Sequence, residues 1–384
     1  MTQSIAYLDY NATAPVKPAA AAAAAEAMRS VGNPSSVHRA GRLARRAVER
    51  ARDRVAGLVG ASASEIVFLS GGTEANALAL AATGLRRMVV SAIEHDSVLA
   101  SAARRATVAG GPELVPVDGD GVVDLGALRE TLARSREPAL VSVMLANNET
   151  GVVQPVAEVA SIAHAQGAVV HCDAVQAVGK IPVDFVSLGV DMMSVSAHKL
   201  GGPPGVGALV VREGVRFEAD RPGGGQEFGR RAGTENVPGI VAFGVAAELA
   251  HDDIARAAEI AAWRDELERR VRGLAPEAGI YGAAAPRLPN TACFSMPGVA
   301  SETQVIGLDL AGVAVSAGAA CSSGKVRPSH VLRAMGVPEA EAGTAIRASL
   351  GWASSADDIE RLIGAWTELY ARAGAGGAAA ESAA

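Results

Sequence analysis

Cysteine is scarce here: Cys172, Cys293 and Cys321 are the three in 384 residues, odd in number and far apart. That excludes a disulfide framework and any CxxC metal or redox motif, so no metal site is expected, and it suits a reducing cytosol. Aromatic residues are also few, 3% of a chain that is 49% apolar. The core must therefore be built from small aliphatic side chains. No uncharged apolar run reaches the roughly 18 residues that span a bilayer. The alanine run Ala19–Ala25 passes straight into Glu26 and Arg29, and no basic segment followed by an apolar one marks a secretory signal at the N-terminus. Positive charge is not in excess: 35 Lys+Arg against 41 Asp+Glu leave a net charge of −6. This argues against nucleic acid as the main partner. A charged fraction of 20% without long like-charge blocks excludes a mainly disordered chain. The expectation is a soluble, cytoplasmic protein with neither a membrane nor a nucleic acid as partner.

What is present is alternation. Short Val/Ile/Leu runs at Ile66–Ser70, Met88–Ala92, Leu114–Val117, Leu140–Leu145, Ala168–Asp173, Asp191–Ser196 and Ala208–Val211 read as strands. Helix-compatible stretches separate them, at Thr73–Thr83, Ser97–Ala109, Leu125–Ser135 and Val156–Gln166. Strands that are apolar throughout are buried on both faces, which predicts α/β architecture with a mostly parallel central sheet between helix layers. After Gly239 the texture changes. A long helical region over about Ile240–Leu274 is expected, then strands near Thr291–Ser295, Val313–Ser316 and Ala345–Leu350 among shorter helices at Glu302–Leu310, Pro328–Ala334 and Asp357–Arg372. We read a large domain over residues 15–245 and a smaller α+β domain from 1–14 and 246–373. Residues 374–384, rich in Ala and Gly, are expected to be a disordered tail. Near His38–Gly60, apolar residues at helical spacing oppose seven arginines between Arg39 and Arg54, which read as a solvated helix face.

Ligands of an open parallel sheet bind outside the carboxyl ends of its strands. After the first expected strand comes Ser70-Gly71-Gly72-Thr73-Glu74 at the start of a helix, where close backbone approach and free amides attract a phosphate. It is not a dinucleotide fingerprint, and Gly318–Lys325 lacks the spacing and the Ser/Thr of a P-loop. Later strands end at His95, at Asn147-Asn148-Glu149, at Asp173 with Gln176 beyond it, and at Ser196-Ala197-His198-Lys199. A lysine at the end of an apolar strand is costly unless its pKa falls or it forms an imine. Phosphate cradle, carboxylate and imine-forming lysine are the parts that pyridoxal 5′-phosphate (PLP) requires. Cys172 and Cys293 sit in strand-like runs and read as packing. Cys321 lies among Ser316-Ala317-Gly318-Ala319-Ala320 and Ser322-Ser323-Gly324-Lys325, with no apolar periodicity to bury it, and reads as a candidate nucleophile.

From Tyr7-Leu8-Asp9-Tyr10-Asn11-Ala12-Thr13 to about Trp352 the sequence resembles the NifS/IscS-type cysteine desulfurases, class-V aminotransferases of the fold-type-I PLP enzymes. The resemblance rests on Gly32-Asn33-Pro34-Ser35-Ser36, Ser70-Gly71-Gly72-Thr73-Glu74, Asn147-Asn148-Glu149-Thr150-Gly151, Asp173-Ala174-Val175-Gln176, Ser196-Ala197-His198-Lys199, Arg231-Ala232-Gly233-Thr234 and Cys321-Ser322-Ser323-Gly324. It implies that Lys199 carries PLP, Asp173 pairs with the pyridine nitrogen and Gln176 contacts the ring hydroxyl. His95 would stack on the ring and act as acid and base. Gly72, Thr73, Ser196 and His198 would hold the phosphate, with Thr234 added from the partner subunit of a homodimer. Asn148 and Arg347 would bind the carboxylate of L-cysteine, and Cys321 would accept its sulfur as a persulfide, leaving L-alanine. A sulfur-acceptor or iron–sulfur scaffold protein is the implied further partner. Selenocysteine lyase and class-V aminotransferase are the neighbouring alternatives; a catalytically silent PLP-fold binding protein is the one of another class.

Overall fold

The computed structural model describes residues 5–106, 111–318 and 329–381. The chain opens with strand β1 (Ala6–Tyr7) and helices α1 (Pro18–Arg29) and α2 (Arg39–Val59). Strands and helices then alternate: β2 (Ile66–Leu69), α3 (Gly72–Ala82), β3 (Arg87–Ser91), α4 (Asp96–Arg105), β4 (Glu113–Val115), α5 (Leu125–Ala133), β5 (Ala139–Ser142), α6 (Val156–His164), β6 (Val169–Asp173), α7 (Phe185–Leu188), β7 (Met192–Ser196) and β8 (Gly207–Val211). These strands form one seven-stranded sheet in the order β2-β8-β7-β6-β5-β3-β4. The run β7-β6-β5-β3-β4 is parallel, while β8 is antiparallel to both β7 and β2. Val48, Val55, Leu128 and Val159 from α2, α5 and α6 cover one face; Ala75, Leu80, Val98 and Ala102 from α3 and α4 cover the other. The continuous apolar runs are thus strands packed on both sides.

The C-terminal half contains α8 (Val237–Ala255), α9 (Ala257–Leu274), β9 (Thr291–Ser295), α10 (Ser301–Leu310), β10 (Val313–Ala314), β11 (Ser316–Ala317), α11 (His330–Ala334), α12 (Glu339–Ala342), β12 (Ala345–Ser349) and α13 (Ala356–Glu381). The helical region expected over about Ile240–Leu274 is two helices, broken at Arg256 (φ −86, ψ 1). The reason is packing. Ile240, Phe243 and Ala247 of α8 belong to the core of the large sheet, whereas Ile260, Leu267 and Val271 of α9 join a second core with Phe294 and Trp366. The expected strand Val313–Ser316 also divides: β10 pairs in parallel with β1, and β11 pairs antiparallel with β12. Helical backbone in α13 continues through Glu381, beyond the point where a disordered tail was expected to begin. Alanine, the best helix former, dominates that stretch. Among the described residues no helix is long and apolar enough to cross a membrane.

One arginine of α2 departs from the solvated face. Arg52 is buried and grips Glu227 through two bonds, at 2.7 and 2.8 Å, while Glu227 also accepts from the Phe68 amide at 2.8 Å. Glu227 and Phe228 hold left-handed backbone (φ 46 and 59), a conformation that side-chain-bearing residues keep only when their surroundings enforce it. Arg52→Leu would leave the Glu227 charge buried without compensation. It is expected to cost about 3 kcal/mol or more in chemical denaturation; a loss below about 1 kcal/mol would show that the pair does not anchor this loop.

Candidate active site

Five elements end at the same edge of the sheet and enclose a cavity of about 360 Å³. Gly72, Thr73, His95, Asn148, Asp173, Gln176, Ser196, His198 and Lys199 all line it. At one end α3 starts directly after β2, so its first amides face the cavity without helical partners. Beside them the Ser196 hydroxyl is buried with no hydrogen-bond partner. Gly72 has no room for a side chain, since a Cβ would stand 2.9 Å from Val175 Cγ2. A helix N-terminus with an orphaned hydroxyl beside it is a cradle for a phosphate.

Toward the middle, Asp173 is buried. Its Oδ2 accepts from Asn76 Nδ2 at 2.7 Å and its Oδ1 from the Val175 amide at 3.0 Å. Asn76 also donates to Ser97 Oγ (2.9 Å), and Ser97 in turn bonds His95 Nδ1 through its hydroxyl at 2.8 Å and its amide at 3.1 Å. Because an amide can only donate, His95 Nδ1 is an acceptor and Nε2 carries the ring proton. Sequence reading missed Asn76 and Ser97, which join the carboxylate to the histidine.

Lys199 follows β7 after one short turn and donates to the carbonyls of Asn11 (2.6 Å) and Ala12 (2.7 Å). Burial, then the charge of Arg347, draw its pKa from 10.5 down to about 8, against the opposing pull of Asp9 and Asp173. Such an amine is neutral, and hence nucleophilic, far more often than an exposed lysine. Burial also lowers the His198 pKa to about 4, so that imidazole is neutral. Its Nδ1 lies 3.2 Å from Thr13 Oγ1.

Arg347, on β12, is buried behind Asn148. It reaches the Asn148 carbonyl at 2.9 Å and Asp9 at 2.7 Å, and its Nε has no partner. Asp9, to which the sequence reading gave no site role, holds this guanidinium. Thr234 lies apart, in a separate cavity of about 150 Å³ that shares Ser70 and Gly205 with the first. Cys321 falls outside the described residues. The other two cysteines, on β6 and β9, are fully buried, and burial first, then neighbouring carboxylates, push both thiols up.

The residues fit PLP: a phosphate cradle, a carboxylate deep in the cavity, and a lysine of lowered pKa between them. A family model, Aminotransferase class-V, matches residues 6–362. The chain belongs to this family of PLP-dependent enzymes. Within it, the relatives are cysteine desulfurases. One from Cereibacter sphaeroides is 48% identical over 93% of each chain. An IscS-like cysteine desulfurase of Mycobacterium tuberculosis is 41% identical over 96% of this chain and 97% of its own. A NifS-like protein from Rickettsia africae superposes with a TM-score of 0.88 at 36% identity, covering 95% of this chain and 99% of that one. A structure of SspA in complex with cysteine gives 0.77 at 30% identity, over 90% of this chain and 98% of that one. The α/β fold-type-I architecture expected from sequence is the one found.

Proposed function

We propose that the protein is a cysteine desulfurase in which Lys199 carries PLP and Cys321 takes the sulfur. The observation that carries this reading is the lysine of lowered pKa set beside a buried carboxylate and an orphaned hydroxyl at a helix N-terminus. PLP, when bound, supplies an electron sink for charge developing at the substrate Cα. Gly72, Thr73, Ser196 and His198 hold its phosphate, and Asp173 keeps its ring nitrogen protonated. Gln176 would meet the ring hydroxyl, and His95, with Nε2 protonated and Nδ1 fixed by Ser97, would pack on the ring and serve as acid and base. Asn148 and Arg347 hold the carboxylate of L-cysteine. The Lys199 amine takes the Cα proton, the substrate sulfur passes to Cys321 as a persulfide, and L-alanine leaves.

Thr234 lies outside the main cavity of its own chain, which supports its reaching the partner subunit's phosphate site in a homodimer. The two hydrophobic cores support residues 15–245 as the PLP-binding domain and 1–14 with 246–373 as the smaller one. We place the enzyme in the cytoplasm, supplying sulfur to an iron–sulfur scaffold or a thiolation acceptor. The test is the visible spectrum of the PLP-loaded protein with and without L-cysteine, with alanine and sulfide measured under reductant. Alanine and sulfide in equal amounts without any keto acid are expected. Product formation only when a keto acid is supplied would make the protein an aminotransferase instead.

A further inference from the structure

The turn after β6 carries a second lysine beside the site, and the reading above gives it no task. Lys180 does not line the main cavity. Its Nζ donates to Asn11 Oδ1 and to Gln176 Oε1, each at 2.7 Å. Asn11 is buried and its amide has one orientation. Its Nδ2 donates to the Asn148 carbonyl at 3.1 Å and Thr291 Oγ1 at 2.9 Å, and its Oδ1 accepts from Asn290 Nδ2 at 3.1 Å. The main-chain carbonyl of Asn11 then accepts from Gln176 Nε2 at 2.9 Å.

These bonds leave Gln176 no choice. A lysine Nζ–H donates whether or not the amine is charged. Turned end over end, Gln176 would set its own carbonyl oxygen against that of Asn11 and its NH2 against the hydrogens of Lys180. Gln176 lines the cavity, so the end it shows there is fixed by residues that do not touch the cavity's contents.

We propose that Lys180 is a positioning residue for the desulfurase reaction: with Asn11 it locks the Gln176 carboxamide so that an N–H of Nε2, not the carbonyl oxygen, meets the ring oxygen of the cofactor. The inference rests on the PLP reading above. A donor at that oxygen stabilises its anionic form, which lowers the pH at which the neighbouring Lys199–cofactor linkage gives up its proton. Burial first, then the neighbouring charges of Lys199 and Arg347, hold the Lys180 pKa well below the ordinary lysine range. Across a small cavity stands Asp253, paired with Lys17 at 2.6 Å. Asp9 and Asp173 act on Lys199 in the opposite sense, raising its pKa.

The experiment is a pH titration of the visible band of the PLP-loaded protein. Lys180→Met is expected to raise the midpoint by about one unit, the worth of one hydrogen bond to a charged oxygen. Lys180→Arg still donates to both oxygens and is expected to stay at the wild-type midpoint. In a Gln176→Ala background, Lys180→Met is expected to add no further shift. An unchanged midpoint in Lys180→Met overturns the assignment and leaves the lysine a packing role. An equal shift on both backgrounds also overturns it, since Lys180 would then act as a bare charge without Gln176. Lys180→Leu serves for the same readings where the methionine variant does not fold. A wild-type protein with no visible band would instead overturn the PLP reading itself.

Discussion

Lys199→Ala is expected to lose the visible absorbance of the PLP-loaded protein and to lower alanine production from L-cysteine by about a thousandfold or more, because it removes both the covalent anchor and the base at Cα. Lys180 cannot replace it: that amine is held by Asn11 and Gln176 and does not line the cavity. Borohydride reduction should therefore fix PLP to the wild-type chain and not to the variant. A reducible protein–PLP linkage surviving in Lys199→Ala would sink the assignment. The lowered pKa adds a pH signature. An amine is reactive in its neutral form, so a depressed pKa moves reactivity to lower pH. PLP capture by the cofactor-free wild type should climb up to about pH 8 and level off above it, whereas an ordinary lysine would still be gaining rate near its usual pKa of 10.5.

Cys321→Ser should bind PLP and respond spectrally to L-cysteine, yet carry no protein persulfide and lose at least about a hundredfold in alanine formation under reductant. The physical ground is what the other cysteines cannot do. The thiolate is the nucleophile in sulfur transfer. Cys172 and Cys293 are fully buried, with burial and nearby carboxylates holding both as thiols. Cys321, by contrast, has Lys325 and Arg327 near it in sequence. Mass spectrometry after a single turnover should find the added sulfur on the peptide containing Cys321, and Cys172→Ala and Cys293→Ala should turn over near normally with modest stability losses. Sulfur on either of those two, or normal turnover by Cys321→Ser, would end this mechanism.

The layout of the large sheet was legible because its strands are unbroken apolar runs separated by helical periodicity, and because sheet topology dictates where ligands bind. Asp173 and Ser196 end strands, and Gly72, His95 and Lys199 come soon after them, so a search of strand ends found them together. The residues that escaped act through others. Asn76 and Ser97 lie one and two bonds behind Asp173. Asp9 and Asn11 follow the short strand β1, whose partner, β10, lies more than three hundred residues on. Local pattern carries no trace of such pairings. The break at Arg256 was hidden for a similar reason, since α8 and α9 are each helical by composition and only their allegiance to different cores divides them. Arg52 looked solvated because helical periodicity says which face a residue occupies, not that a loop from residue 227 will cover it.

The Asn11 and Ala12 carbonyls that hold Lys199 have a consequence for how the enzyme comes into being. Asn11 is synthesised well before its own supports, Asn290, Thr291 and Ser349. A nascent chain that has emerged as far as β8 already contains the phosphate cradle, Asp173 and Lys199, but the clamp on that lysine is still a loose leader. The amine acquires its full surroundings only when β9 and β12 have left the exit tunnel and Asn11 has met them. Full cofactor capture is therefore expected to wait for those strands, and a lesion near Asn11 or near Ser349 is felt at the same nitrogen atom.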